Sequence, residues 1–466
     1  MALPPPWARE IPYAPPIQHT AALAARPLTL LLDSAAAGPD PRARYSYLAF
    51  DPAARVTIPA GPRAPETPGP FAQVARLLRG WRQTPHPDLP PFQGGAAGLF
   101  GYELGGDLER LPPSPAAGAR HPDLAIGIYD LVVAYDHAQE RAWVISTGYP
   151  ETGPDARARR AEARLETALA MLDTARDDSA PATPPALSWT SDTDRDTYMD
   201  KVRQAVDAIY AGEIFQVNLS REVVSPRPAL LDRFELYREM RARTRAPFSA
   251  YFALPDDAAV CSFSPERFLQ VAADGRIETR PIKGTRPRGA TPAADAGLAA
   301  DLQEATKDRA ENLMIVDLLR NDLARSSRIG TVRVPQLCGL ESFDAVHHLV
   351  SVVTAELAPG RDALDLLAAA FPGGSITGAP KIRAMEIIHA LEGRRRGPYC
   401  GTIAWLGFDG AMDSSILIRT MAVDRWSVRY GVGGGVVADS DPEAEWRETE
   451  VKAAAFLSPA KTPDTF

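Results

Sequence analysis

Apolar runs and their spacing set the first expectations. LTLLLD at 28–33 and RYSYLAF at 44–50 are short, leucine- and aromatic-rich and flanked by turn formers, which predicts strands. Residues 125–133 and 142–147, on either side of DHAQE, predict another strand pair, and 71–81 has the spacing of a helix. At 148 the pattern changes to Arg, Ala and Glu at helical spacing and then to DSAPATPPALSW, which has no period. Residues 148–193 therefore read as a helical connector followed by a Pro-rich linker. Beyond it, helices are predicted over 194–211, 230–243, about 299–324 and 347–357, after SITGAPK, and from Pro442. Strands are predicted at 215–224, as a pair within 249–268 broken at LPDD, and near 331, 399 and 414, with RPIKGT at 280–285 as a turn. No internal repeat is present. The chain thus divides into a mostly β region at 1–147, the linker at 148–193, and a region at 194–460 where helix and strand alternate, an α+β (mixed α/β) chain.

Two of the predicted helices carry acids one turn apart. In KDRAENLMIVDLLRND, Asp308 and Glu311 share a face while Met314, Ile315, Leu318 and Leu319 form the apolar stripe. The last helix starts with Asp441 as N-cap and Pro442 in the first turn, which places Glu445, Glu448 and Lys452 on one face. Such pairs are commonly solvated surface. The segment before the last helix, YGVGGGVVADSD, favours a ligand-binding reading, because a glycine run beside a helix start brings backbone amides close to an anion. It satisfies neither G-x-G-x-x-G nor G-x-x-x-x-G-K-[ST], so nucleotide binding is set aside.

Composition narrows the chemistry. The chain has 466 residues, 45% hydrophobic and 24% charged, which is enough for two or three domains or one large composite core. A net charge of -8 argues against a broad nucleic-acid surface. Three separated cysteines and seven histidines without an H-x-x-x-H pair exclude a disulfide framework and a zinc centre, so a bound metal would be a hard cation held by carboxylates. The opening MALPPPWAREIPYAPP does not read as a signal peptide, and the early apolar run is broken at Asp33 and too short to span a bilayer. A soluble cytoplasmic protein is expected.

Nine blocks carry a closer resemblance: PFSAYF at 247, SFSPERF at 262, RPIKGTRPRG at 280, KDRAENLMIVDLLRNDLAR at 307, HHLVS at 347, FPGGSITGAPKIRAMEII at 371, YCGTIAWLG at 399, ILIRT at 416 and GGGVVADSDPEAEWRETEVKA at 433. In kind and order they resemble the chorismate-utilising enzymes, the anthranilate, aminodeoxychorismate, isochorismate and salicylate synthases. The resemblance implies a large two-sheet core flanked by helices. LLLDSA at 30, RYSYLAFDP at 44 and PFQGGAAGLFGYEL at 91 resemble the N-terminal part of the two amine-forming members. No cysteine lies in a G-x-C-x-G turn, so ammonia would come from a separate glutamine amidotransferase subunit. Gln216 stands where hydrolytic relatives carry a lysine that activates water, and glutamine has no basic nitrogen for that task. Lys283 in P-I-K-G-T is similar to the aminodeoxychorismate branch, whereas anthranilate synthases usually read P-I-A-G-T.

Carried over residue by residue, the resemblance implies Mg²⁺ on Glu311 and Glu448, with Asp308 and Glu445 as outer or water-mediated partners. Lys452 and the amides of Gly433, Gly434 and Gly435 would grip the ring carboxylate, Arg419 and Tyr399 the enolpyruvyl end, and Thr285 and Gln216 would line the site. Glu266 would protonate the departing C4 hydroxyl, its alternative being an ion pair with Arg267 or another arginine. His348 rather than His347 would orient the substrate or assist the leaving group. Lys283 would attack C2, for which it must be neutral, a form that desolvation and the neighbouring Arg276, Arg280, Arg286 and Arg288 would favour; its alternative is a simple carboxylate-binding or solvent-facing cation. A tryptophan pocket is implied at Ser34, Arg44, Tyr45, Pro247, Phe248 and Ser249, although Asp33 departs from the L-L-E-S pattern. The expected function is amination of chorismate at C4. The alternatives are amination at C2, as in anthranilate synthesis, or an idle tryptophan-binding regulatory subunit.

Overall fold

A computed structural model describes residues 3–36, 41–63, 66–115, 120–174, 183–343 and 346–457. Positions 175–182 of the expected linker and 458–460 of the expected last region lie outside them.

Two large, mostly antiparallel sheets face each other. The first runs in the order Trp7–Ile11, Arg141–Ser146, Leu131–Asp136, Tyr45–Ala49, Leu30–Asp33, Phe248–Leu254, Ala258–Ser264, Thr420–Val423, Ser427–Val436, Gln216–Pro226, Gly378–Ala379. The second runs Ile282–Pro287, Val346–Glu356, Arg276–Thr279, Arg267–Val271, Met412–Ile416, Thr402–Gly407, Gly95–Phe100, Leu124–Tyr129, Ala54–Ile58, with Arg333–Ser342 also paired to Val346–Glu356. Strands of 1–147 and strands of 194–460 are therefore hydrogen-bonded within the same two sheets. They meet where Leu30–Asp33 pairs with Phe248–Leu254, and where Gly95–Phe100 pairs with Thr402–Gly407.

Strand alternation builds the layers. Ala97 and Leu99 point into the space between the sheets with Tyr47, Phe252 and Trp405, while Ala96 and Phe100 point outward under the helices Pro70–Leu78 and Ala363–Ala370. The outer face of the first sheet is covered by Pro154–Thr174 and Arg233–Thr244, and further along by Arg195–Tyr210, Lys381–Glu392 and Pro442–Leu457. The result is helix, sheet, sheet, helix, the α+β architecture that the resemblance implied. Asp33 is fully buried within this frame. Arg241 and Tyr237 both donate to its carboxylate, which ties the helix Arg233–Thr244 to the central strand.

Three local expectations are corrected. Residues 347–357 form the strand Val346–Glu356 rather than a helix: Val346, Val350, Val352, Val353 and Thr354 are β-branched, and the strand pairs on both sides. The predicted 299–324 helix is two helices, Pro292–Glu304 and Thr306–Ala324, broken at Ala305, whose ψ of 97° is extended. RPIKGT does not turn. It enters the edge strand Ile282–Pro287, whose register slips between Ile282 and Thr285 and so forms a bulge at Lys283 and Gly284. Gly284 has φ +84°, and a Cβ there would lie 2.9 Å from Leu302 and 3.0 Å from Asp308, so this position requires glycine. Among the described residues no helix is long and apolar enough to cross a membrane.

Candidate active site

The apolar filling between the sheets stops short of one end of the sandwich. The strands Gln216–Pro226 and Ser427–Val436 of one sheet and Ile282–Pro287 and Val346–Glu356 of the other contribute nothing to that apolar filling, and they carry polar side chains instead. The bulge delivers Lys283, whose Nζ lies 3.9 Å from Glu311 Oε2 on the helix Thr306–Ala324, both side chains being mostly buried. The expected crowd of arginines is otherwise engaged. Arg276 pairs with Asp274, Arg280 with Glu341, Arg286 with Asp301 and Asp308, and Arg288 with Asp295. The charges facing Lys283 are thus carboxylates, Glu311 and Glu266.

Glu266 precedes the strand Arg267–Val271 and accepts a hydrogen bond from Ser375 Oγ at 3.0 Å. Part of the residue remains accessible, yet the surrounding protein desolvates its carboxyl and raises its pKa, with Ser375 and Lys283 opposing the shift. The ion-pair alternative with Arg267 fails, because that arginine turns to the opposite side and makes two 2.9 Å hydrogen bonds to Asp413. His348 Nδ1 lies 2.9 Å from Thr285 Oγ1. Burial and the nearby cations Arg42 and Arg419 push His348 down to about 4, so at neutral pH it is an uncharged hydrogen-bonding group and not a proton donor of charge. His347 faces away, sealed against Asp295 and Ser342.

The last helix begins as its sequence predicts, with Asp441 Oδ1 accepting from the Ala444 amide at 2.9 Å. Glu445 is buried and accepts from Ser440 Oγ at 2.7 Å; burial raises its carboxyl and Glu448 adds to the rise. Burial likewise raises Glu311, Lys283 and Lys307 oppose it, and Asp308 and Glu448 reinforce it. The two carboxylate helices therefore sense each other across the cleft. Gly434, on the strand Ser427–Val436, lets the last helix lie close against the sheet: a Cβ there would lie 3.1 Å from Glu448 Oε1 and 3.2 Å from Glu445 Oε2. Lys452 reaches back to Glu448 at 2.6 Å and to the Gly433 carbonyl at 2.9 Å, so it braces the carboxylate in place of the ligand expected for it. Asp308 is turned towards Arg286.

Among the described residues no three His, Cys, Asp or Glu side chains form a ready cage for a metal ion. Two hard carboxylate donors from facing helices, with the space that Gly434 leaves open, fit a cation that keeps much of its water. Gly434→Ala should lower kcat/KM by about tenfold while leaving the unfolding midpoint within a few degrees, since the new methyl crowds only two carboxylates; steady-state kinetics beside thermal unfolding checks this.

The floor of the cleft is polar and tightly packed. Gln216 is wholly buried with neither amide atom hydrogen-bonded to protein, and a Cβ at Gly435 would lie 2.5 Å from its Nε2. At Gly431 a Cβ would strike the Tyr399 ring at 2.4 Å, so the glycines of this strand admit both side chains. Arg419 is exposed and holds φ +51°, an uncommon backbone state for a side-chain-bearing residue and one that occurs at ligand sites.

Sequence reasoning missed three participants. Ser375 lies in a block singled out only for its resemblance; Lys307 opens the carboxylate helix; Arg42 lies far away in sequence and stacks on Phe343, 4.3 Å from the ring centre, beside His348. Elsewhere, a cavity of about 450 Å³ is lined by Ser34, Tyr45, Pro247, Phe248 and Ser249. Arg44 is not on its wall, being paired with Asp136 at 2.7 Å.

A family profile described as chorismate binding enzyme matches residues 33–458. Aminodeoxychorismate synthase component 1 of Klebsiella aerogenes is 47% identical over 373 residues, 80% of this chain and 78% of that protein. Anthranilate synthase component 1 of Streptomyces coelicolor is 40% identical over 424 residues, covering 89% and 80%. The crystal structure of anthranilate synthase component I from Streptococcus pneumoniae superposes with a TM-score of 0.76 at 30% identity, covering 90% of this chain and 93% of that one.

Proposed function

The chain belongs to the chorismate-binding enzymes, and from that premise we propose that it is the chorismate-aminating component of an aminodeoxychorismate synthase, forming 4-amino-4-deoxychorismate for p-aminobenzoate and folate synthesis. The observation that carries this reading is Lys283, delivered by a bulge between a carboxyl of raised pKa, Glu266, and the metal-side carboxylate Glu311.

Chorismate is a dianion whose C4 hydroxyl must leave. Its enolpyruvyl carboxylate meets Arg419 and Tyr399, and its ring carboxylate meets the amides of Gly433 to Gly435. Lys283 Nζ bonds to C2 while the ring double bonds shift and the C4–O bond breaks, Glu266 giving its proton so that water departs. Ammonia then bonds to C4, the double bonds shift back, the C2–N bond to Lys283 breaks to return the lysine amine, and the proton lost by the new C4 ammonium restores Glu266. The nitrogen ends para to the carboxylate-bearing carbon. Gln216 carries no basic nitrogen to activate water, and the neutral His348 with Thr285 orients the substrate. Mg²⁺ would be held by Glu311 and Glu448, with Glu445 and Asp308 around it, and would supply positive charge to the ring carboxylate.

Ammonia comes from a partner glutamine amidotransferase subunit, a reading supported by the component 1 designation of the relatives. The three free, buried cysteines support a cytoplasmic setting. The 450 Å³ cavity is assigned to L-tryptophan, on the strength of the five expected residues along its wall. Arg267 lines it while Glu266 faces the cleft, so the ligand would sit one residue behind the acid.

The deciding experiment incubates the purified chain with chorismate, Mg²⁺ and ammonium. Product that becomes p-aminobenzoate only on addition of a lyase supports the reading. Fluorescent anthranilate without further enzyme would overturn it in favour of C2 amination, and no turnover in saturating ammonium would favour a regulatory subunit.

A further inference from the structure

Lys381 lies outside every role assigned above, yet it is one of the more constrained side chains in the protein. Its ammonium donates to Asp322 Oδ2 at 2.7 Å and to the Ala370 carbonyl at 2.6 Å, with Lys381 only 11% and Asp322 only 3% exposed. The positions of these partners give the contact its meaning. Ala370 ends the helix Ala363–Ala370, Lys381 begins the helix Lys381–Glu392, and Asp322 lies in the last turn of the carboxylate helix Thr306–Ala324. One ammonium thus closes the base of the connecting segment 371–380, whose far end pairs through Gly378–Ala379 with Gln216 and Val217, and fastens it to the helix that carries Glu311.

That segment touches the site on three sides. Ser375 Oγ donates to Glu266 Oε1. Gly374 lies so close to the carboxylate helix that a Cβ would come within 2.4 Å of Leu318. The Thr377 carbonyl accepts the Asn218 amide at 2.8 Å, two residues from Gln216, and the Ile376 carbonyl accepts from Arg396 at 2.8 Å. A buried ion pair is a poor source of net stability, because desolvation cancels much of the attraction. Its fixed geometry is what remains to be explained.

We propose that Lys381 and Asp322 form a positioning staple that sets the 371–380 segment, and through Ser375 the carboxyl of Glu266, against the carboxylate helix. The inference rests on the reading of Glu266 as the proton donor. Lys381 and Asp322 touch no substrate; they hold the segment that aims the acid. Reacting groups displaced by about an ångström lose on the order of 100-fold in rate, so loosening the segment acts on kcat.

The test compares wild type with Lys381→Arg, Lys381→Met and the double variant Lys381→Met/Asp322→Leu, which replaces the ion pair by apolar side chains and leaves no unpaired buried charge. In the double variant kcat should fall about 10- to 100-fold, KM for chorismate should stay within about threefold, and amide exchange in 371–380 should quicken at least about tenfold, with the unfolding midpoint retained. Lys381→Arg, which keeps a donor to both partners, should retain kcat within about fivefold. A kcat in the double variant within threefold of wild type, a loss borne wholly by KM, or unchanged exchange in 371–380 would overturn the staple. Exchange is read without turnover, so a wild-type chain that consumed no chorismate would count against the functional reading and leave the staple to be judged on exchange.

Discussion

Lys283→Ala is expected to lower formation of 4-amino-4-deoxychorismate on the order of 1,000-fold or more, and to divert what amination remains to C2. With the lysine nitrogen, C2 is occupied while ammonia arrives, and C4 is the carbon left open; without it, ammonia can attack C2 directly and give the ortho product. The bulge makes the experiment clean. Lys283 approaches Glu311 only to 3.9 Å, and the neighbouring arginines are held by other acids, so no tight ion pair is broken and the edge strand should survive the substitution. Product analysis with and without the lyase separates para from ortho amination. Intact-protein mass after rapid quench, with chorismate and no ammonia, should show the adduct on wild type alone. An unmodified wild-type mass together with an active alanine variant would rule out the covalent route.

Glu266→Gln should cost about 10²- to 10⁴-fold in kcat, the usual contribution of a positioned acid. Glutamine keeps the shape and can still accept from Ser375, so the loss belongs to the proton. The pH dependence gives an independent check. The carboxyl of Glu266 is raised by burial, so the folded enzyme keeps its proton to higher pH than an exposed glutamate would. Activity that needs this proton is present below the raised pKa and declines as pH rises through it. That declining limb should vanish from the kcat/KM profile of the glutamine variant, and its persistence would assign it to another group. The same raised pKa means that Glu266 contributes to folding stability at low pH and ceases to do so as pH rises through the folded-state value. His348 has the opposite sign: depressed to about 4, it contributes stability above its ordinary value of 6.5, which is lost as pH falls from there towards 4.

Much of this site could be read from residue order. The cap at Asp441, the paired acids on two helices and the glycine run all stand where their local patterns put them, because capping and helical spacing are short-range properties. Misreadings came where a short segment is ambiguous until its neighbours are known. Val346–Glu356 has an apolar pattern that suits a buried helix or a strand, and only pairing on both edges decides it. RPIKGT looks like a turn because Pro and Gly punctuate it, whereas the strand beside it converts the same residues into a bulge. Ser375 carries no local chemical signal, since its importance comes from a glutamate 109 positions away. The arginines around Lys283 show the same limit: sequence gives the charges but not the acids that each of them finds.

The seams where Leu30–Asp33 meets Phe248–Leu254 and Gly95–Phe100 meets Thr402–Gly407 bear on how the chain could be cut. A fragment ending near residue 150 would retain its own strand blocks but present two raw edges, one from each sheet, and the remaining fragment would present the matching pair. Unpaired edges of that kind recruit any strand that fits them. Apart, the fragments should be prone to aggregate; produced together, each is the best available cover for the other, and activity restored by mixing would make the chain a candidate for split-protein complementation.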